Sequence, residues 1–159
     1  MILRAPRESV FAFLDVHENI TMHMEQPSWA TLGATMTTTL DDLRGQAVGS
    51  VIKIEGSVAG IRLVASERVV RREPPFCKRW ETIGVPRLIL IGGYGMGFEI
   101  EPAGADCRVT VSIDYALPRA PFGALLGWLL GATYARWCVS RVIEAVSTAF
   151  ARVEIAHAS

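Results

Sequence analysis

Glu67, Tyr94 and Tyr115 are the candidate acid–base groups of this chain. Glu67 shares strand parity with Ile61, Leu63 and Ala65, which sets it on the apolar side of its strand. A carboxyl there has its pKa raised and serves as a general base, or it anchors the polar head of a ligand. The simpler expectation is structural: a bulge turns Glu67 outward, or an arginine at the sheet rim pairs with it. Tyr94, Tyr115, Trp80 and Tyr134 each join a large apolar ring to one polar tip. That combination suits a pocket holding the polar end of a mostly apolar molecule, and it equally suits a core with satisfied tips. Asp114 lies opposite the apolar set of its strand and reads as solvent-facing.

Other chemistries find little support. His17 and His23 stand six apart, so they do not share a helix face as a metal-binding pair four apart would. Cys77, Cys107 and Cys138 lack CxxC spacing. Neither a metal nor a cofactor is expected, and both histidines read as ordinary helix-surface or loop residues. Gly92, Gly93, Gly95 and Gly97 have a phosphate-loop composition, but no Lys-Ser/Thr follows and no helix starts there. They read as glycines that let a strand bend. Arg68, Arg71, Arg72, Lys78 and Arg79 surround Pro74-Pro75 and alternate with Glu67, Glu73 and Glu81, as at a solvated hairpin end. No Ser-His-Asp or Cys-His arrangement is visible, so nucleophilic catalysis has no support.

Positioning such groups requires a core, and the chain is long enough to bury one. Its 159 residues fit one domain over residues 1–154, with 155–159 as a flexible tail. Lys plus Arg equals Asp plus Glu at 16 each, which argues against a nucleic-acid partner. Half the residues are apolar and a fifth charged, which excludes disorder. The odd, widely spaced cysteines read as free thiols in a reducing compartment, and the charges of Arg4, Arg7 and Glu8 interrupt any signal-like run; a cytoplasmic location is expected.

Ala5-Pro6-Arg7-Glu8-Ser9 reads as a helix start, with Val10, Phe11 and Leu14 on its buried face. A second short helix is expected over 18–24, bounded by Pro27. From Ala30 the period becomes two, and the Thr-rich run around Thr35–Thr39 favours strand. Strands are expected over 48–57, 61–71, 76–84, 88–101 and 107–117, with turns at 41–45, 56–60, 74–75 and 103–105 and a break at Pro86. In the last of these strands Val109, Val111, Ile113 and Tyr115 alternate with Arg108, Thr110, Ser112 and Asp114. One apolar and one polar face per strand describes a sheet covered on one side only.

One long helix follows, over 121–154. Projected at 100° per residue, Trp128, Gly131, Ala132, Ala135, Cys138, Val139, Val142, Val146, Ala149 and Phe150 share the arc expected to bury. Leu126, Leu129, Leu130 and Trp137 fall on the opposite, charged arc, an apolar patch that calls for a partner chain, a ligand or a membrane surface. The charge-free run 120–135 is too short to span a bilayer. The small residues of the packing arc leave a hollow beneath a curved sheet.

The order of elements resembles the helix-grip fold of the SRPBCC superfamily of polyketide cyclase/dehydrase and START-type proteins. The matching stretches are Ala5 to Asp15, Glu67-Arg68-Val69-Val70 with Glu73-Pro74-Pro75, and Leu117-Pro118 leading through Gly123-Ala124-Leu125-Leu126 into the last helix. The resemblance implies an α+β fold in which a curved antiparallel sheet of about six to seven strands wraps a long C-terminal helix, with two short helices near the N-terminus. It also implies a cavity for a sterol, lipid, quinone or polyketide; a minority of such proteins are cyclases or hydrolases. Only Met1 to Arg4 precede the first helix, so the first strand is short or absent and a neighbouring strand edge stands open.

These readings combine into a hydrophobic small molecule held between sheet and helix, for binding, transport or sequestration. The expected lining is Met36, Ile52, Ile54, Leu63, Trp80, Tyr94, Met96, Phe98, Val111, Ile113 and Tyr115, with Trp128 and Ala135 from the helix. Two alternatives stand beside it: a cyclase/dehydrase-type enzyme using Glu67 or a tyrosine, and a module that forms a homodimer or docks peripherally on a membrane through Leu126, Leu129, Leu130 and Trp137.

Overall fold

The computed structural model describes residues 1–25, 35–58, 60–104, 106–119 and 121–157, with side-chain surroundings for 1–21, 36–58, 60–104, 106–119 and 123–151. Strand β1 is Ile2–Leu3, followed by helices α1 (Arg7–Asp15) and α2 (His17–Glu25). Six more strands follow: β2 (Thr35–Leu40), β3 (Val51–Val58), β4 (Ile61–Glu73), β5 (Cys77–Arg87), β6 (Tyr94–Ala103) and β7 (Asp106–Tyr115). The chain closes with helix α3 (Pro121–His157). The strands form one antiparallel sheet in the order β1-β7-β6-β5-β4-β3-β2. This is the helix-grip α+β architecture: a curved sheet gripping one long helix. The expected end of the second helix at Pro27, a strand start before Thr35, the side chain of His23, Ala105, and Ala158 and Ser159 of the tail lie outside the described residues.

Alternation sets which face closes on the core. Ile52 and Ile54 are buried while Lys53 and Glu55 face water; on β4, Ala65, Glu67 and Val69 turn in while Arg62 and Arg68 turn out. Val10, Phe11 and Leu14 of α1 pack into the same core, with Phe11 edge-on to Phe98 at 5.7 Å. β1 pairs β7 only at Ile2↔Arg108 and Leu3↔Cys107, extended by reciprocal 2.8 Å bonds between Met1 and Val109. Beyond Val109 that edge of β7 has no strand beside it among the described residues.

Several boundaries differ from expectation. The β3–β4 hairpin is tighter than 56–60, because pairing runs to Val58↔Ile61. Pro86 does not break its strand: residues 84–86 are unpaired between Ser66↔Ile83 and Val64↔Arg87, where a missing N–H removes no ladder bond. β6 starts at Tyr94, not residue 88, since Gly92 and Gly93 exchange hydrogen bonds of 2.7 and 2.8 Å with Ala116. Gly95 and Gly97 provide close approach to β5; a Cβ at Gly97 would meet the Lys78 carbonyl at 2.6 Å. α3 runs to His157, past the expected end at 154.

The seam of α3 is also rotated from the expected arc. Gly123, Gly127 and Gly131 lie against the Ile89 and Leu90 carbonyls, Pro118 and Tyr115, and a Cβ at Gly127 would meet the Leu90 oxygen at 2.7 Å. The glycines are thus the contact points in the first half, and Ala135, Val142 and Val146 continue the seam. Trp128, one residue from Gly127, is turned about 100° away and is 72% exposed. Ala132 is exposed with it.

The hairpin end around Pro74-Pro75 is not wholly solvated. Lys78 is 1% exposed, and its Nζ donates to the Asp15 carbonyl at 2.7 Å and lies 3.2 Å from the Asp15 carboxylate. Arg72 completes the group at 2.8 Å from Asp15. Burial raises the Asp15 pKa, but the Arg72 hydrogen bonds and the nearby Lys78 outweigh it and leave the carboxyl lowered. This ionic cluster ties the end of α1 to the β4–β5 hairpin.

Candidate functional site

A cavity of about 60 Å³ lies between the sheet and α3. Its walls are apolar: Ile54 and Ala65 from β3 and β4, Met96 and Ile113 from β6 and β7, Val142 from α3 and Ile20 from α2. Met36, Trp80, Leu88 and Ile91 complete them. Into this lining project Glu67, Tyr94, Tyr134, Cys138, Thr21 and His17. The volume is room for roughly four to six water-sized groups.

Glu67 is placed by simple strand parity, paired with Ile52 on one side and Thr82 on the other. Neither a bulge nor an arginine takes it outward, contrary to the simpler expectation; it is 2% exposed and accepts a hydrogen bond from the Tyr94 hydroxyl. Burial in apolar surroundings pushes its pKa up to about 7, against the opposing effect of the Tyr94 hydrogen bond. The same burial, with the adjacent Glu67, holds the Tyr94 phenol well above its ordinary value. The second carboxyl oxygen, Oε2, has no hydrogen-bond partner among the described residues.

His17 enters from the opposite wall, where α1 ends at an extended Val16 and α2 begins. Its ring meets Trp80 edge-on at 5.8 Å, and neither Nδ1 nor Nε2 has a hydrogen-bond partner among the described residues. Burial, reinforced by the positive Lys78, drives its pKa down to about 4, so the imidazole is neutral at physiological pH. His17 is therefore a cavity residue and not a surface one, and strand or helix periodicity carried no signal for it. Its position right after a helix break, at the start of a polar helix, was the available clue. From α3, burial raises the Tyr134 phenol well above its usual value and the Cys138 thiol to about 11. A carboxyl with its pKa raised towards neutrality, bonded to a phenol and faced across the cavity by a neutral imidazole, is a set of groups able to hold a polar head or to move a proton.

Of the expected lining, Met36, Ile54, Trp80, Tyr94, Met96 and Ile113 border the cavity. Ile52, Phe98 and Val111 belong instead to the core packing, and Leu63 is half-buried at the far end of β4; none of the four borders the cavity. Tyr115 packs against Gly131, and Ala135 is buried on the seam outside the lining. Trp128 points to solvent and cannot line anything. The outer patch also shifts: Leu129 is 56% and Leu130 47% exposed, joined by Leu125 and Trp128, whereas Leu126 and Trp137 are half-buried. Trp137 stacks on Tyr134 at 5.9 Å with Arg141 over its ring. No group of His, Cys, Asp and Glu with metal-binding geometry occurs among the described residues, and no described helix is long and apolar enough to cross a membrane.

No family model matches the sequence, and no curated protein matches it. Solved structures do. A Thermobifida fusca protein solved by NMR shares 17% identity with a TM-score of 0.63, covering 97% of this chain and 91% of its own. The protein TTHA0849 from Thermus thermophilus shares 16% identity with a TM-score of 0.62, covering 94% of each chain. The ginseng major latex-like protein 151 from Panax ginseng shares 18% identity with a TM-score of 0.52, covering 91% of each. These likenesses establish the fold that the three structures have in common with this chain.

Proposed function

We propose that this protein binds a hydrophobic small molecule in the cavity between its sheet and α3, starting from the helix-grip fold as premise. One observation carries the reading: an otherwise apolar cavity is lined by buried polar groups, Glu67 Oε2 and both His17 ring nitrogens, that the described residues leave unpartnered. Unpaired buried polar atoms are costly, and a ligand that meets them recovers that cost. The cavity suits a ring-sized molecule, or the end of a longer lipid, quinone, sterol-like or polyketide molecule. Affinity comes from apolar contact, at about 25 cal/mol per Å² removed from water. Native mass spectrometry of the purified protein, followed by denaturing extraction, tests it. A bound mass of a few hundred daltons or less is expected, and Ala65→Trp, which fills the cavity, abolishes it. A bound mass that survives that substitution places the ligand elsewhere.

A second reading is carried by the outer face of α3, with an anionic lipid surface as its occupant. Leu125, Trp128, Leu129 and Leu130 are exposed together, and the nearest charges along the chain on either side, Arg119 and Arg136, are both positive. From Tyr115 to Val142 the sequence holds Arg119, Arg136 and Arg141, of which Arg141 is paired with Glu144 at 2.7 Å; from Thr82 to Phe98 it holds Arg87 and no acid. Exposed leucine and tryptophan flanked along the chain by Arg119 and Arg136 fit the acyl boundary and the headgroup charge of such a membrane. Co-sedimentation with phosphatidylglycerol vesicles, weaker with phosphatidylcholine and lost in Trp128→Ser/Leu129→Gln, is expected. No sedimentation, with a dimer by light scattering that the same substitutions dissolve, overturns the lipid reading in favour of a second copy.

A further inference from the structure

The polar groups of the cavity differ in kind from those of a site for an acid. We infer that the cavity selects an uncharged ligand bearing a hydroxyl and rejects carboxylates, an inference that rests on the pocket reading above. Glu67 is the acid of the lining, and no arginine or lysine borders the cavity among the described residues. A carboxylate head would lose its water, meet a carboxyl and find no cation. A fatty-acid or aryl-acid anion is therefore excluded by electrostatics, although the apolar walls would accept its body.

A cationic head fares little better. Lys78 is fixed at the Asp15 carbonyl, two residues before His17, so its positive charge stands behind the ring and disfavours a proton there. A ligand ammonium beside His17 feels the same field. The groups facing Glu67 are Tyr94 from β6 and Thr82 from β5, with Tyr134 and Cys138 from α3 and His17 from α2 across the cavity. Thr82 is occupied, since its hydroxyl donates to the Tyr94 carbonyl at 3.0 Å. Tyr94 spends its proton on Glu67 Oε1. Tyr134 and Cys138 interact with each other one turn apart on α3.

What remains unspent is Glu67 Oε2 and, on a neutral imidazole, one donor and one acceptor. A hydroxyl is the smallest group that both donates and accepts. It donates to Oε2 when Glu67 is ionised and accepts from it when Glu67 is protonated. In the second case its own proton goes to the bare imidazole nitrogen. A ketone can only accept and a methyl can do neither, so a hydroxyl fits both protonation states and its analogues do not.

Four aromatic probes with one ring and different heads decide the matter: phenol, toluene, benzoate and benzylammonium, titrated calorimetrically into the intact protein at pH 6. Phenol is expected to bind about tenfold tighter than toluene or more, with benzoate and benzylammonium weaker than toluene. In His17→Leu and Glu67→Leu the preference for phenol over toluene is expected to fall to about threefold or less, while toluene still binds. Benzoate or benzylammonium binding as tightly as phenol overturns the head-group inference and leaves the pocket standing. Toluene and phenol binding equally does the same. Failure of all four, together with a clean spectrum of the purified protein, overturns the pocket reading itself. The wild-type comparison stands without the variants, so a variant that does not fold leaves the outcome decided.

Discussion

The cavity wall and the outer face of α3 invert the usual distribution of polarity in opposite ways. Inside, Glu67, His17 and Lys78 are buried in a largely apolar interior; outside, Leu125, Trp128, Leu129 and Leu130 stand in water. The interior departures are coupled to their surroundings, since burial shifts the pKa of each of the three. The exterior departures touch little, so the folded chain depends on them little. A polar residue inside changes the stability of the fold, whereas an apolar residue outside changes only what the fold meets.

The widest gap between the two regions is expected at Lys78. Lys78→Met leaves the Asp15 carbonyl without its donor and the carboxylate with Arg72 as its one cationic partner, and about 3 kcal/mol of stability is lost. Urea denaturation measures it, and a loss under about 1 kcal/mol would show that the cluster is solvated after all. Next come opposite pH slopes. The raised Glu67 pKa favours the folded state at low pH, and that contribution is lost as pH rises from the unfolded value of 4.5 through about 7. The lowered His17 pKa favours it at high pH, and that contribution is lost as pH falls from 6.5 through about 4. Between roughly pH 4.5 and 6.5 the two slopes cancel. Relative to wild type, Glu67→Gln therefore gains stability with rising pH and His17→Leu loses it, each by up to about 1.4 kcal/mol per pH unit. Parallel slopes in the two variants would break the assignment.

Smaller again is Gly127→Ala, whose new methyl meets the Leu90 oxygen; a cost of about 1–3 kcal/mol is expected by thermal unfolding. Least of all is Trp128→Ser, which changes stability by no more than about 0.5 kcal/mol. A large loss there would mean that the outer face is part of the fold, and the contrast between the two regions would fail.

Strand parity made the sheet legible. It also set Glu67 among inward residues, and the structure follows that parity, not the bulge or rim pairing expected as the simpler outcome. The cavity was less legible, because which inward residues border empty space depends on how far α3 stands off the sheet. That distance is set by Gly127 against the Leu90 carbonyl and Gly131 against the Tyr115 ring, close approaches whose tightness a hydrophobicity projection does not weigh. The projection accordingly gave Trp128 a place in the interior that the glycines took. His17 and Lys78 were misread for a related reason. Their burial comes from contacts across the fold, with Trp80 and Asp15, and no local pattern encodes it.

The glycine track gives α3 two mechanically different halves. Val142 and Val146 lock the second half into the core as interdigitated side chains. The first half is seated through its glycines on the Ile89 and Leu90 carbonyls and on Leu117, Pro118 and Tyr115. A helix of 37 residues is about 55 Å long, so it acts as a beam clamped at one end and seated on a smooth bearing at the other. That smooth half passes the 88–91 segment, and Leu88 and Ile91 of that segment form part of the cavity wall. A methyl added at Gly127 has to lift the beam off that bearing and so moves the cavity wall with it.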